Sequence, residues 1–305
     1  MQKISANNIT WIDILKPSEK ELEQIKNQFG LHPFIAKQFL PPLRRPKIEE
    51  YPNQLFVVLH FPVYNPETKK TKTVELDFII TPNTLITSHS KKIPYLETFF
   101  NDCKLQEHHQ NRYFKTNAGG LLLGLLDWLI DSCLPMLDHV AEKVEKVENR
   151  VFEGEEKEML LEIAALKHDL IEFRRAIKPQ RSILEILAKK SSRLFGINSR
   201  PMAQEVVGSI VRVWNVLENH RELTESIEQT NNSLLSYKLS DIMKFLTVVS
   251  FITFPLSVIV GFFGMNVFST TSIVRENSYA WVWITSGMIL TTSIMVIYFK
   301  RKKWL

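Results

Sequence analysis

The sequence predicts an α+β membrane protein with several domains: a mixed α/β domain, a region of long helices, and two C-terminal transmembrane helices. Three observations support this fold class. Residues 245–263 and 279–299 carry no charged side chain. Residues 1–116 alternate between helix and strand signals, whereas residues 117–243 are almost continuously helix-forming. A run of nineteen residues makes a helix of about 28 Å, close to the hydrocarbon thickness of a bilayer.

The first 116 residues are predicted to form the mixed α/β domain. Residues 9–15 resemble a short strand, and Ser18 with Glu21 has the capping-box spacing that opens a helix, which Gly30 ends. The Pro-rich residues 40–54 are predicted to be irregular. Residues 55–64, 71–81 and 85–89 are predicted strands, with turns at 65–69 and 82–83.

Residues 118–130, AGGLLLGLLDWLI, could be mistaken for a membrane span. The run is only about thirteen residues long and contains Asp127. We therefore predict a buried helix here and only two spans in the chain.

The long-helix region, residues 117–243, is predicted to begin with a helix hairpin at 117–195, which Gly154 divides. Its dense charge is typical of a solvated surface. A stalk helix starts near Pro201, and no stop signal follows before Pro255. An apolar stripe with polar interruptions at His220, Thr224 and Asn231 predicts that this helix packs against others, and its length predicts self-association.

The charge is unevenly distributed along the chain. After Met243 there are six basic residues and a single acidic residue, Glu276, which accounts for the net charge of +5. The high isoelectric point therefore does not indicate nucleic-acid binding. The basic tail Lys300–Lys303 predicts that both termini are cytoplasmic, with spans at about 245–263 and 279–299 and an outer loop at 264–278. The N-terminus has no signal-peptide pattern.

Motifs of enzymes and nucleotide-binding proteins are absent from the sequence, so no enzymatic activity and no nucleotide cofactor are predicted. Glu107, His108 and His109 lack a further ligand at metal-binding spacing. Cys103 and Cys133 have neither metal nor redox spacing and are predicted to be reduced and structural.

The first span carries a stripe at spacings of three and four, which we call the 243–261 stripe. It alternates bulky apolar residues with small or hydroxyl residues: Met243, Leu246, Ser250, Phe254, Ser257 and Gly261. Bulky rings can close a pore by excluding water, and hydroxyls can face ions. Small residues also permit close helix packing, and the second span is rich in Thr, Ser and Gly, so periodicity favours the first span as pore lining without deciding it.

The sequence FPLSVIVGFFGMN, followed by a short loop, a second span and the tail KRKKWL, resembles the CorA family of magnesium transporters. The segments WIDI at 11–14 and RRPKIEEY at 44–51 are also similar to that family. The resemblance covers nearly the whole chain. It implies a homopentameric funnel with a cytosolic α/β/α domain, in which five copies of the first span surround one pore and the second span lies outside.

The resemblance also implies site residues. Gly264, Met265 and Asn266 correspond to the outer selectivity filter, and Met243 and Leu246 to the hydrophobic gate. Phe254 matches a bulky apolar position and Ser257 a hydroxyl position. Lys300, Arg301, Lys302 and Lys303 match a basic ring at the inner end of the pore, although anchoring to anionic lipid explains them equally well. The family closes when intracellular Mg²⁺ bridges acidic residues between subunits, and no motif marks those residues here.

Two departures from the family pattern concern the pore mouth. Phe263 stands where Tyr is usual, and the loop after Asn266 lacks the common acidic pattern, since its one acid, Glu276, follows Arg275. The sequence thus predicts a cell-membrane channel for potential-driven influx of hydrated Mg²⁺, with Co²⁺ or Ni²⁺ as further substrates. The alternatives are a zinc transporter of the same fold, disfavoured by the intact Met265, and a membrane-anchored scaffold without a pore.

Overall fold

The computed structural model describes residues 1–38, 45–65, 70–264 and 279–304. Its N-terminal part contains a six-stranded sheet in the order β1-β2-β6-β5-β4-β3. The strands are β1 (Gln2–Ala6), β2 (Ile9–Leu15), β3 (Lys47–Tyr51), β4 (Gln54–Asn65), β5 (Lys70–Ile80) and β6 (Thr84–His89). Strands β2 and β6 pair in parallel, and the other neighbours are antiparallel.

The helices of the described residues follow the strands or lie between them. They are α1 (Glu19–Phe29), α2 (Pro33–Gln38), α3 (Pro94–Leu105), α4 (Glu107–Tyr113), α5 (Ala118–Asp131), α6 (Cys133–Phe152), α7 (Glu156–Phe195), α8 (Ser199–Gly264) and α9 (Ala280–Arg301). The chain divides into two compact units, residues 1–228 and 229–305, and the division falls within α8.

Helix α1 has the ends that the sequence predicts. The Ser18 side chain accepts a hydrogen bond from the backbone of Glu21, and the Glu21 carboxylate accepts one from the Ser18 backbone. These two bonds satisfy donors that would otherwise be unpaired at the start of the helix. Gly30 ends the helix with φ 58°, a left-handed conformation that suits glycine.

Helices cover both faces of the sheet, so the N-terminal unit has three layers, α/β/α. On one face Leu22 and Ile25 of α1 share a buried cluster with Ile12 of β2 and Phe56 of β4. On the other face the ring of Trp11 contacts those of Phe99 and Phe100 in α3, at centroid distances of 5.8 and 4.8 Å. Helix α7 also packs against this sheet, where the Gln180 amide donates to the His60 carbonyl.

The prediction that residues 40–54 are irregular is wrong for residues 47–51, which form β3. This strand pairs antiparallel with β4, placing Lys47 opposite Val58 and Tyr51 opposite Gln54. Prolines at 46 and 52 flank the segment and hide it from a local pattern search, but neither interrupts the ladder. Strand β1 was likewise not predicted. Residues 40–44 and residues 66–69 of the predicted turn at 65–69 lie outside the described residues, and Asn65 belongs to β4.

Helix α5 is buried in the N-terminal unit, as the sequence predicts. A side chain added at Gly119 would collide with the ring of Phe195, and one added at Gly124 would lie 2.5 Å from Cδ1 of Tyr113. Its glycines are therefore explained by close packing against other parts of the unit. Helices α6 and α7 pair on either side of Gly154, whereas the first arm of the hairpin predicted at 117–195 is divided at Ser132 into α5 and α6. Arg150 binds Glu155 and Glu162 beside the turn at Gly154.

Helix α8 runs from Ser199 to Gly264 without a break, in agreement with the absence of a stop signal before Pro255. Its apolar stripe is buried in the N-terminal unit at Val206, Ile210, Val213, Leu217 and Ile227. The interruptions Thr224 and Asn231 are also buried. Packing thus holds the first part of α8, whereas most of its later residues, from Ser236 onward, are exposed in the single chain.

Candidate functional site: the two C-terminal helices

Three helical segments among the described residues are long and apolar enough to cross a membrane: Ala118–Phe152, Ser199–Gly264 and Trp281–Arg301. They differ in burial. In the first segment 56% of the most apolar window is buried inside the protein, against 6% in each of the other two. Apolar surface that the protein itself does not cover must meet another apolar environment. The two C-terminal segments are therefore the candidate membrane helices.

Helix α9 lies against one face of α8 within residues 229–305. Val248 of α8 is 2% exposed and Phe299 of α9 is 8% exposed. The rings of Phe251 and Phe299 meet edge to face with their centroids 6.2 Å apart. Further along α8, Pro255 and Ile259 are also partly covered. These positions define the face of α8 that packs on α9.

The 243–261 stripe lies on the opposite face of α8. Nine residues separate Val248 from Ser257, which at about 3.6 residues per turn is two and a half turns. All six residues of the stripe are exposed in the single chain, and Phe254 reaches 72%. The side of α8 that the sequence favours as pore lining is thus the side that α9 leaves uncovered.

The hydroxyl groups of the stripe bond to their own helix. Ser250 Oγ donates to the Leu246 carbonyl at 2.8 Å, and Ser257 Oγ donates to the Thr253 carbonyl at 3.0 Å. A hydroxyl has one proton and two lone pairs. Because its proton is engaged, each oxygen presents only acceptor lone pairs outward, which suits contact with a hydrated cation.

Pro255 is inside α8 and has no N–H to donate. The carbonyl of Phe251 therefore lacks its usual partner four residues later. Phe251 and Pro255 lie on or near the face that packs on α9, so this carbonyl is not part of the 243–261 stripe. Pro255 therefore lies on the side of α8 that packs on α9.

The outer end of the site is only partly described. Helix α8 ends at Gly264, the first residue of the predicted filter, which is exposed. Met265 and Asn266, like Glu276 and the rest of the predicted loop to 278, lie outside the described residues.

At the inner end the four basic residues differ in their surroundings. Lys300 and Arg301 form the last turn of α9, and Lys303 follows with φ 57°. The backbone N–H of Trp304 donates to the Phe299 carbonyl at 3.0 Å, and their rings stack with centroids 5.8 Å apart. Of the four, Lys302 alone lines a cleft between α8 and α9.

Sequence reasoning did not find a buried polar network that begins at the WIDI segment. Trp11 Nε1 donates to Thr87 Oγ1, which donates to Asp13 Oδ1 at 2.6 Å. His89 Nδ1 lies 2.6 Å from the Lys91 carbonyl, and its Nε2 lies 3.3 Å from Asp13 Oδ2. Both partners can accept hydrogen bonds, so this arrangement favours the form of the imidazole that carries two protons. The residues of this network come together through the parallel pairing of β2 and β6, which no local sequence motif predicts.

Metal-binding side chains do not cluster in the part of the chain that the structure describes: no group of three or more His, Cys, Asp or Glu is arranged to hold an ion. A second cavity of about 330 Å³ adjoins Lys143 and the buried Asp169. Asp169 accepts from the Thr71 N–H and pairs with Lys143 at 3.5 Å, so its charge is balanced within the fold.

A large soluble unit followed by two exposed apolar helices defines the class: an integral membrane protein with a large extramembrane part. The family model described as CorA-like Mg2+ transporter protein matches residues 6–301. The chain therefore belongs to the CorA family, and it is a transporter of divalent metal ions.

Similar proteins include the cobalt/magnesium transport protein CorA of Thermotoga maritima, which is 28% identical over 97% of this chain and 83% of that protein. The zinc transport protein ZntB of Yersinia pseudotuberculosis is 20% identical over 99% of this chain and 89% of that protein. The complete structure of the CorA magnesium transporter from Methanocaldococcus jannaschii superposes with a TM-score of 0.86 at 24% identity, covering all of this chain and 95% of that one.

Proposed function

We propose that five copies of this chain form a cell-membrane channel that admits hydrated Mg²⁺ to the cytosol, with Co²⁺ and Ni²⁺ as further substrates. The observation that carries the proposal is the arrangement of α8 and α9. Because α9 covers one face of α8, the 243–261 stripe remains free to line a central pore on the opposite face. Self-association around that face would let neighbouring copies cover part of the apolar surface that is exposed in the single chain.

The chemistry of the proposed pore follows from its residue types. Mg²⁺ is small and loses its water reluctantly, so a filter binds it best through its hydration shell. Five Asn266 side chains would offer amide oxygens to those waters, and the outward lone pairs of Ser257 would offer the next acceptors. Met243 and Leu246 would form apolar rings that close the pore by excluding water.

The membrane potential supplies the driving force in this proposal. A divalent ion gains about 4.6 kcal/mol per 100 mV, which corresponds to more than three decades of accumulation without a nucleotide. Such a gradient requires closure, and we infer that intracellular Mg²⁺ provides it, through residues that remain to be assigned. We infer that both termini are cytoplasmic, because the basic residues of the tail favour that side of the membrane.

Zinc transport is the second candidate, since ZntB relatives match almost the whole chain. Magnesium is favoured because the relatives named for cobalt and magnesium have higher identity, and because Met265 of the Gly-Met-Asn triplet is intact. A membrane-anchored scaffold without a pore, the other alternative considered from the sequence, does not fit membership of the CorA family.

The test is flux into liposomes that contain the purified full chain at a set voltage, with Mg²⁺, Co²⁺, Ni²⁺ and Zn²⁺ offered in turn. We expect Mg²⁺ uptake that Asn266→Ala reduces at least about tenfold, equivalent to about 1.4 kcal/mol at the filter. Asn266→Gln, which keeps the amide, is the matched control and should retain more flux. Uptake of Zn²⁺ in preference to Mg²⁺ selects the second candidate, and no uptake of any of the four ions contradicts the proposed channel.

A further inference from the structure

The cleft at the inner end of the two C-terminal helices has the form of a ligand site. Its volume is about 500 Å³, within the range of roughly 300–1,000 Å³ typical of small-molecule sites. Thr247 and Phe251 of α8 form one side, and Met295 and Tyr298 of α9 form the other. Lys302 lies at the rim, just past the end of α9.

The position of the cleft along the helices matches one leaflet of a bilayer. Thr247 and Phe251 are three and seven residues after Lys244, the last charged residue before the first span. At about 1.5 Å per residue they lie within roughly 10 Å of the membrane boundary. The cleft therefore begins at the headgroup level beside Lys302 and extends into the hydrocarbon region of the cytoplasmic leaflet.

The positive charge at this end of α9 is balanced by few acidic residues within residues 229–305. In residues 229–264 and 279–304 the only acidic residue is Asp241, and Lys244 binds its carboxylate at 2.8 Å. No carboxylate from this part of the chain is therefore left for Lys302. An anion from outside these residues is the natural complement to a lysine at the rim of an apolar cleft.

Aromatic rings give the rim a defined shape. Trp304 also lines the cleft and stacks on Phe299, and its backbone N–H donates to the Phe299 carbonyl. Tyr298 lies on the neighbouring turn of α9. Trp and Tyr are enriched where proteins meet headgroups, because each has an apolar body and a polar atom.

We propose that this cleft binds one anionic phospholipid of the cytoplasmic leaflet. Its acyl chain lies between Phe251 and Met295, and its phosphate is held at Lys302 beside Trp304. This discrete site differs from general attraction between a basic tail and an anionic membrane, because it assigns the contact to one of the four basic residues. It also differs from any role in transport, since the cleft is on the α9 side of α8.

The experiment counts lipids that remain bound to the purified full chain. Protein in phosphatidylcholine nanodiscs is titrated with phosphatidylglycerol, released into the gas phase, and analysed by native mass spectrometry. We expect one phosphatidylglycerol retained per chain. Lys302→Gln should weaken retention about fivefold, the effect of one basic residue near an anionic surface. The matched control Lys300→Gln removes the same charge two residues away and should have a distinctly smaller effect.

A second variant tests the apolar part of the site without changing charge. Met295→Trp places a larger side chain in the cleft and should abolish the tightly retained lipid, while circular dichroism and elution volume report that the protein is folded. The proposal is overturned if Lys300→Gln and Lys302→Gln weaken retention equally, since the attraction is then diffuse. It is also overturned if phosphatidylcholine is retained as well as phosphatidylglycerol, or if Met295→Trp retains the lipid. None of these results depends on ion flux.

Discussion

A cysteine at Ser257 tests which face of α8 lines the pore. Ser257 belongs to the exposed 243–261 stripe, whereas Ile259, two residues later, is on the side that packs on α9. The two positions are at nearly the same depth but about 200° apart around the helix. Ser257→Cys should react with a small cationic thiol reagent dissolved in water, and Ile259→Cys should not.

The two native cysteines are expected to contribute little labelling in this experiment. Both Cys103 and Cys133 are buried. Burial raises the pKa of Cys103 from 9.0 to about 12, and it raises the pKa of Cys133 as well. Because the thiolate is the reactive form, three pKa units reduce its amount at neutral pH by about a thousandfold. Labelling of the native thiols is therefore expected to be slower by at least that factor.

The assay measures labelling by intact mass and divalent-cation flux in the same liposomes. We expect Ser257→Cys to gain one label per chain and to lose flux, because the attached cationic groups narrow the pore and repel divalent cations. Ile259→Cys is expected to remain unlabelled with flux unchanged by the reagent. The opposite pattern, labelling at 259 and none at 257, would refute the assigned orientation. Equal labelling at both positions would show that α8 is not packed on α9 as described.

Two further predictions concern the N-terminal unit. Burial alone lowers the pKa of His89, but its hydrogen bond to Asp13 and the charge of Asp13 raise it above the ordinary value. The pair therefore stabilises the fold fully below a pH of about 6.5, and this stabilisation is lost as the pH rises through the higher pKa of His89 in the folded protein. The thermal unfolding temperature should fall across this pH window. In His89→Gln this fall should be absent. Gly124→Ala forces a contact with Tyr113 and should lower the free energy of unfolding by about 1–3 kcal/mol. In Gly208→Ala the added Cβ meets only Arg212 Nη1, at the ordinary contact distance of 3.8 Å, so this variant should raise the free energy of unfolding by up to about 1 kcal/mol. Equal effects of the two glycine variants in denaturant unfolding would contradict the packing of α5.

Local signals in the sequence predicted much of the fold. The capping box at Ser18 and the glycine at 30 set both ends of α1, and alternating apolar residues marked β2, β4, β5 and β6. Such signals work because they depend on hydrogen bonds and periodicity within a few residues. They failed for β3, whose identity depends on its pairing with β4, and for β1 at the edge of the sheet.

The candidate site shows the same division. The sequence supplied the stripe of alternating bulky and hydroxyl residues and the basic tail, because composition and spacing are local properties. It could not decide between the two spans as pore lining, since both carry small and hydroxyl residues. The difference between Lys302 and Lys300 was also hidden, because it depends on the return of Trp304 onto Phe299 and on the approach of α8.

The sequence by itself determined that this chain has two long uncharged runs near its C-terminus, a basic end after the second, and a soluble part of mixed helix and strand. The length of a hydrophobic run and the absence of charge are enough to identify the spans, because whether a segment can cross the bilayer depends on its own length and charge. Only the tertiary structure decided which residues α5 packs against and that α9 covers one face of α8, leaving the 243–261 stripe exposed. Those outcomes depend on contacts between residues far apart in the chain, such as Gly119 with Phe195 and Phe251 with Phe299.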